Sequence, residues 1–217
     1  MDSVIKDYPA VDDGDLMLCL NNGVAYQRDM SAPVSYDGAY FNKCLGYEDQ
    51  DIALKINAGR IALVDKYVGA KPVLDIGIGS GEFIKKRPNT FGCDINPLAL
   101  AWLEAEGKRV DDFAIFRAFT FWDVIEHVEE PAEYFRRIAN GSFLFTSLPI
   151  FDDLRRIRKS KHYRPNEHFY YWTERGFTDW MARYGFWLQE RQDFEIKAGR
   201  NSILSFAFRK YGDKWPT

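Results

Sequence analysis

The chain has 217 residues, 46% of them hydrophobic and 28% charged, with a formal net charge of -3. That balance supports one substantial globular core and excludes nucleic-acid binding through bulk positive charge, although a local basic patch is still open. The longest apolar runs are short, such as "IALV" at 61–64, so nothing here spans a bilayer and no membrane partner is expected.

The opening "MDSVIKDYPAVDDGD" is acidic and lacks the basic, apolar and small-residue order of a secretory leader. Cys19, Cys44 and Cys93 are too few and too far apart for a disulfide framework or a Cys-rich zinc site. Both features predict a cytoplasmic protein with reduced thiols. Residues 1–45 read as an N-terminal extension with a β-hairpin, because Asn22-Gly23 divides two apolar-rich runs in "LMLCLNNGVAYQR". "CLNNG" resembles half of a zinc ribbon, but one thiol cannot hold zinc.

Residues 46–217 read as the main domain. Between Glu48 and Val68, the residues Ile52, Ile56, Ile61, Val64 and Val68 recur at near-helical spacing, and Gly69 offers a left-handed stop. "PVLDIG" then reads as a buried strand, followed by a glycine turn and the short helical piece "EFIKKR", which Pro88 ends after about two turns. "TFGCDI" is a second strand, and Asn96-Pro97 caps and opens the helix "PLALAWLEAEG". "AFTFWDV", the helix "PAEYFRRIANG" and the strand "SFLFTSLPI" continue the alternation, which favours a parallel sheet covered on both faces. Thr173 caps a further helix, and the turn "KAGRN" joins two final antiparallel strands.

The loop "LDIGIGSGEF" holds Gly77, Gly79 and Gly81. A phosphate loop would need Gly-Lys-Ser/Thr after its glycines, and a nicotinamide fingerprint would need glycine where Glu82 stands, which disfavours a dinucleotide oxidoreductase. Asp75 ends one strand and Asp94 the next. Together "VLDIGIGSGEF", "FGCDINPLAL" and "FWDVIEHVEEP" resemble the S-adenosylmethionine-dependent methyltransferases of class I. The resemblance implies an α/β, Rossmann-like, doubly wound and mostly parallel seven-stranded sheet whose last strand is antiparallel. It also implies S-adenosyl-L-methionine as cofactor. Gly77, Ile78, Gly79 and Gly81 would approach its amino-acid half, Asp75 would organise the loop and the cofactor's ammonium, and Asp94 with Ile95 would hold the ribose side. Asp111 or Asp112 resembles the residue facing adenine. Arg60 is placed as in ubiquinone-type O-methyltransferases, where a comparable arginine holds the cofactor carboxylate, and Trp122 as the aromatic near the methionine moiety. The bland alternatives are a solvated helix charge for Arg60 and a core aromatic for Trp122.

In "WDVIEHVEEP", Asp123, Glu126 and His127 stand at i, i+3 and i+4, so a helix starting there would aim all three the same way. His168 precedes the Thr173 helix. This set resembles small-RNA 2'-O-methyltransferases and ubiquinone-type enzymes, which implies a divalent metal on Asp123, Glu126, His127 and His168. Without metal, His127 or His168 would act as general base, or simply pack. Arg155, Arg156, Arg158, Lys159, Lys161 and Arg164 crowd one segment beside Tyr163, Phe169, Tyr170, Tyr171 and Trp172. That crowding points to a phosphate-bearing small molecule or nucleotide as acceptor, ahead of nucleic acid, or to a solvated face over an aromatic edge. The expected function is methyl transfer to oxygen or nitrogen, and the alternative is a cofactor-binding protein without catalysis.

Overall fold

The computed structural model describes residues 2–30, Val34, Asp37 and residues 51–212; the expected boundary between 45 and 46 lies outside them. Four buried apolar strands form the parallel part of the main sheet: β4 (Val73–Ile76), β5 (Thr90–Cys93), β6 (Ala118–Trp122) and β7 (Phe143–Pro149). With β9 (Phe186–Gln192) and β10 (Ile203–Lys210) they run in the order β5-β4-β6-β7-β10-β9, and β10 is antiparallel to both neighbours. The chain leaves β4 toward β5 on one side and returns to β6 on the other. That reversal opens a crevice beyond the carboxyl end of β4, the usual ligand position in such sheets.

Among the described residues six strands form the sheet where seven were expected. The missing edge strand shrinks to one parallel bridge between Gly92 and Arg109. The cause is local: Gly107 turns the chain, and the charged run that follows enters a 3-10 turn (Phe113–Ile115) that Asp112 caps by accepting from the Ala114 N–H.

The first helix, α2 (Asp51–Val68), buries Ile56, Leu63, Val64 and Val68 but leaves Ile52 exposed, and the Gly69 N–H closes it onto Asp65 O. α3 (Glu82–Lys86) has only five residues. Arg87 fills the space left by the clipped helix: its buried guanidinium donates to Gly69 O, Lys71 O, Asp65 and Thr90, and so ties the end of α2 to β5. The helix α4 (Pro97–Ala105) starts as expected, with the Asn96 side chain accepting from the Leu98 N–H. α5 (Ala132–Arg137) and α6 (Glu174–Arg183) follow, the latter capped by Thr173. The link between β9 and β10 is not a bare turn but carries a short helix, α7 (Phe194–Lys197). It packs on α2 at Gly59, where a Cβ would sit 2.4 Å from the Phe194 ring.

The N-terminal hairpin is present: β2 (Leu16–Cys19) and β3 (Val24–Gln27) pair antiparallel around Gly23. β1 (Val11–Asp13) adds to β2, and β8 (Tyr170–Trp172), far along the chain, adds to β3. This second sheet meets the main one at the end of β7, through an Ile150–Trp172 bridge. It is also locked to α6, because a Cβ on Gly176 would lie 2.0 Å from Gly23 O. The opening turn α1 (Ser3–Lys6) is held by Asp2, whose buried carboxylate accepts from its own helix, from Trp180 Nε1 and from Tyr184 OH. Gly176→Ala should therefore lose about 1–3 kcal/mol, the usual cost of overpacking, read as a lower midpoint in urea unfolding.

Candidate functional site

The glycine turn opens the site. Gly77 adopts φ 72°, and a Cβ there would lie 2.6 Å from Val124 Cγ2; a Cβ on Gly81 would meet Trp102 at 2.8 Å. At Gly79, φ is 55° and a Cβ would meet nothing within 4 Å among the described residues, so the backbone at the tip of the turn is open toward a ligand. The Ile78 N–H donates to Asp94 Oδ2 at 2.8 Å, and the Asn96 N–H to Oδ1 at 2.8 Å. Burial pushes the Asp94 carboxyl up, and these backbone bonds oppose the shift. The Ile95 and Gly79 N–H groups also hydrogen-bond this carboxylate. Beside it, Ile95 (69% exposed) and Leu98 (45%) present an apolar surface, and the Asn96 side chain donates to Asp37 O from the N-terminal extension.

Asp75 lies behind the turn, fully buried, with Thr120 Oγ1 donating to it at 2.6 Å. Burial raises its carboxyl to about 7. Asp112 is occupied as a cap, whereas the Asp111 carboxylate is at the surface, 3.4 Å from Arg109.

Beyond β6 and β7 four charged side chains alternate in a ring. Arg60 donates through Nε to Glu195 (2.9 Å) and through Nη2 to Asp123 (2.7 Å) and Ser147 Oγ (2.9 Å). Arg200 donates through Nη1 and Nη2 to Asp123 Oδ2 and Oδ1, at 2.9 and 2.8 Å, and also to Glu195. Arg60 lies over the Trp122 ring, 4.9 Å from its centroid. Trp122 is buried against Phe83, so it supports Arg60 from below. Burial opposes ionisation of Asp123, but Arg200 and Arg60 win and hold its carboxyl well below the ordinary range.

The expected set of four ligating side chains divides. Asp123 takes a left-handed φ of 57°, and helical backbone begins only at the 3-10 turn Ile125–His127. The i, i+3, i+4 geometry therefore does not form, and Asp123 faces the arginines. Glu126, His127 and His168 do converge, with one ligand atom from each within 4.8 Å of the others. The two imidazoles meet edge to face at 4.5 Å between centroids, and His127 Nδ1 lies 3.1 Å from Glu167 O. Glu126 Oε2 and His168 Nδ1 are buried without a hydrogen-bond partner among the described residues. Burial pushes Glu126 well up, with Asp123 adding to the shift, and pushes His127 down and His168 down to about 2. These are the residues able to hold a cation.

The basic segment forms a 3-10 turn (Leu154–Lys159) whose Leu154 and Ile157 are buried. Arg158 pairs with Asp13 and Asp15 on the hairpin side, and Arg164 with Glu167 at 2.8 Å. Arg156, Lys159 and Lys161 have no ion-pair partner among the described residues. Glu195, Arg200 and Ser147 escaped the sequence reading. Arg200 sat in what looked like a turn, and Glu195 in what looked like a strand.

A family model described as a methyltransferase domain matches residues 48–190. No curated protein matches the chain by sequence. Among solved structures, the 1,6-didemethyltoxoflavin N1-methyltransferase of Burkholderia thailandensis is 16% identical, with a TM-score of 0.54 over 94% of this chain and 99% of that one. An S-adenosylmethionine-dependent methyltransferase of Clostridium acetobutylicum is 13% identical, with a TM-score of 0.54 over 81% and 100%. The magnesium protoporphyrin IX methyltransferase of Synechocystis is 14% identical, with a TM-score of 0.53 over 79% and 93%. At these identities the likeness establishes the fold.

Asp75 gives a test of the site's electrostatics. Its folded pKa lies above its unfolded one, so the folded state holds more protons between the ordinary carboxylate value and about 7. Stability from this group is lost as pH rises through that window. Asp75→Asn should remove that loss, so that denaturant midpoints compared at pH 4.5 and 8 show the variant gaining on the wild type as pH rises.

Proposed function

The chain belongs to the methyltransferase-domain family, and from that membership we propose that it binds S-adenosyl-L-methionine at the β4 turn and transfers its methyl group to nitrogen or oxygen of a small molecule. One observation carries the reading. Backbone open to a ligand at Gly79 lies beside a strand-end carboxylate, Asp94, that is already oriented by that same turn. The residues fit the cofactor: Asp94 stands at the strand end where a carboxylate would meet the ribose, and Ile95 and Leu98 offer an apolar surface for adenine. Asp111, at the surface beside Arg109, would be the candidate for the adenine amino group, and Asp75, buried behind the turn, would organise the loop.

Bound cofactor supplies a methyl carbon made electrophilic by its sulfonium. The acceptor heteroatom would bond to that carbon as the carbon–sulfur bond breaks and S-adenosylhomocysteine leaves, and His127 would be the residue placed to take the acceptor's proton. His127 suits that role because its Nδ1 faces the Glu167 carbonyl and donates to it, which fixes the ring with Nε2 turned toward Glu126, 3.9 Å from Oε1. His168, held neutral by burial, packs edge-on and fixes the ring. Arg156, Lys159 and Lys161, on the segment that follows β7, favour an anionic acceptor, such as a phosphate-bearing metabolite or nucleotide. Small-molecule acceptors in the toxoflavin and protoporphyrin enzymes agree with this class.

A second reading places a divalent cation on Glu126, His127 and His168, favoured by their convergence and by the two orphaned buried atoms. The cation would then acidify an acceptor hydroxyl. Titration with Mn2+ separates the readings: one ion per chain, abolished in Glu126→Gln, supports the cation, and absence of binding leaves His127 as base.

Two outcomes test the main reading. Asp94→Ala should weaken S-adenosylhomocysteine binding by about tenfold or more in calorimetry, the scale of charge-assisted hydrogen bonds. His127→Ala should cut methyl incorporation from labelled donor into cell extract by about a hundredfold, the lower range for general bases. A wild-type chain that binds donor but labels no extract fraction would be a binding protein without catalysis.

A further inference from the structure

The ring of charges beyond β6 is only half used by the protein itself. A guanidinium offers two bidentate edges, one from the two Nη groups and one from Nε with Nη2. In Arg60 the Nε/Nη2 edge is occupied by Glu195, Asp123 and Ser147. In Arg200 it is the Nη1/Nη2 edge that is occupied, by Asp123 with Glu195. Arg200 Nε and the second Nη2 proton have no partner among the described residues, so a complete fork for a carboxylate stays open. Exposure agrees: the side chain of Arg200 is 30% exposed and that of Asp123 27%, against 11% for Arg60 and 0% for Glu195. The outer face of the ring thus presents a guanidinium edge beside a carboxylate. Asp123 Oδ1 accepts only one hydrogen bond there, from Arg200, and can take another.

The face is next to the glycine turn, because Val124, the residue after Asp123, packs where a Gly77 side chain would be. Asp123 also keeps a left-handed backbone, pinned by its N–H to Ser147 O. Such conformations are retained where the surrounding structure over-determines them, commonly at ligand sites.

We propose that Arg200 and Asp123 form the receptor for the zwitterionic amino-acid head of the cofactor, with Arg200 Nε/Nη2 taking the carboxylate and Asp123 the ammonium. Arg60 is then the buried support that keeps Asp123 in place, not the carboxylate ligand. This inference rests on the cofactor reading above. No covalent step is involved. The arrangement would discriminate S-adenosylhomocysteine from 5'-methylthioadenosine, which has the same nucleoside and thioether but no amino-acid head.

Calorimetry with both compounds on the full chain tests it, with circular dichroism melting as the control for folding. Wild type should bind S-adenosylhomocysteine more tightly than methylthioadenosine. Arg200→Lys keeps a cation for Asp123 and Glu195 but loses the fork. It should shrink that preference by about ten- to a hundredfold, the scale of charge-assisted bidentate bonds, and leave methylthioadenosine affinity unchanged. Asp123→Asn should reduce it in the same direction. A preference unchanged in Arg200→Lys, or one that collapses in Arg60→Lys instead, overturns the proposal. Failure of the wild type to bind either compound refutes the cofactor reading itself, an outcome distinct from both.

Discussion

The ring of Arg60, Asp123, Arg200 and Glu195 is the interaction on which the site depends. It joins α2, the end of β6, α7 and the segment entering β10, and Ser147 brings in β7. Glu195 is completely buried, and an isolated carboxylate there would be desolvated at a cost no single neutral hydrogen bond offsets. Two guanidiniums make the burial tolerable, and the ring as a whole is neutral. Such a ring does not maximise stability, because well-packed apolar residues could replace it at no loss, whereas removal of one member alone costs roughly 3–5 kcal/mol. What the ring supplies is a fixed pair of opposite charges at the carboxyl edge of the sheet.

A second constraint comes from the N-terminal sheet. β8 belongs in space to the hairpin, yet it follows His168 directly in the chain. The Gln27 N–H donates to Phe169 O, and the Phe169 N–H donates to Glu126 O at 2.7 Å, so the hairpin grips the strand that carries one histidine and the turn that carries the other. Tyr170 adds a junction: its hydroxyl accepts from the Asp2 N–H and donates to Glu129 O. The extension is therefore part of what holds Glu126, His127 and His168 together. Removal of solvent around these three groups is what shifts each toward its neutral form.

Much of the frame was legible in the sequence, for physical reasons that differ from place to place. Strands β4, β6 and β7 are buried on both faces and read as continuous apolar runs. Asn96-Pro97 and Thr173 announced their helices because capping is local chemistry. The glycine turn and the carboxylates before and after it, Asp75 and Asp94, were visible because a backbone approach demands those residues at that spacing. The losses are equally physical. Asp123 was assigned to the wrong neighbours because a left-handed residue has no sequence signature outside glycine and asparagine. Arg200, Glu195 and the pairing of β3 with β8 are long-range contacts, and nothing local encodes them. The seventh strand failed because the charged run after Gly107 was too short to build a ladder beyond the Gly92–Arg109 bridge.

Charge balance links the two halves of the site. The ring sums to zero, whereas Asp75 and Asp94 stand behind and beside the glycine turn with no guanidinium bonded to them among the described residues. Both have carboxyls raised by burial, which means that each would be better satisfied with a cation nearby than in solvent-free isolation. In the proposed complex the donor's sulfonium would supply that cation before methyl transfer, and the sulfur would be neutral afterwards. On that reading the same carboxylates would attract the charged donor more than the demethylated product, and the difference would favour exchange of product for fresh donor.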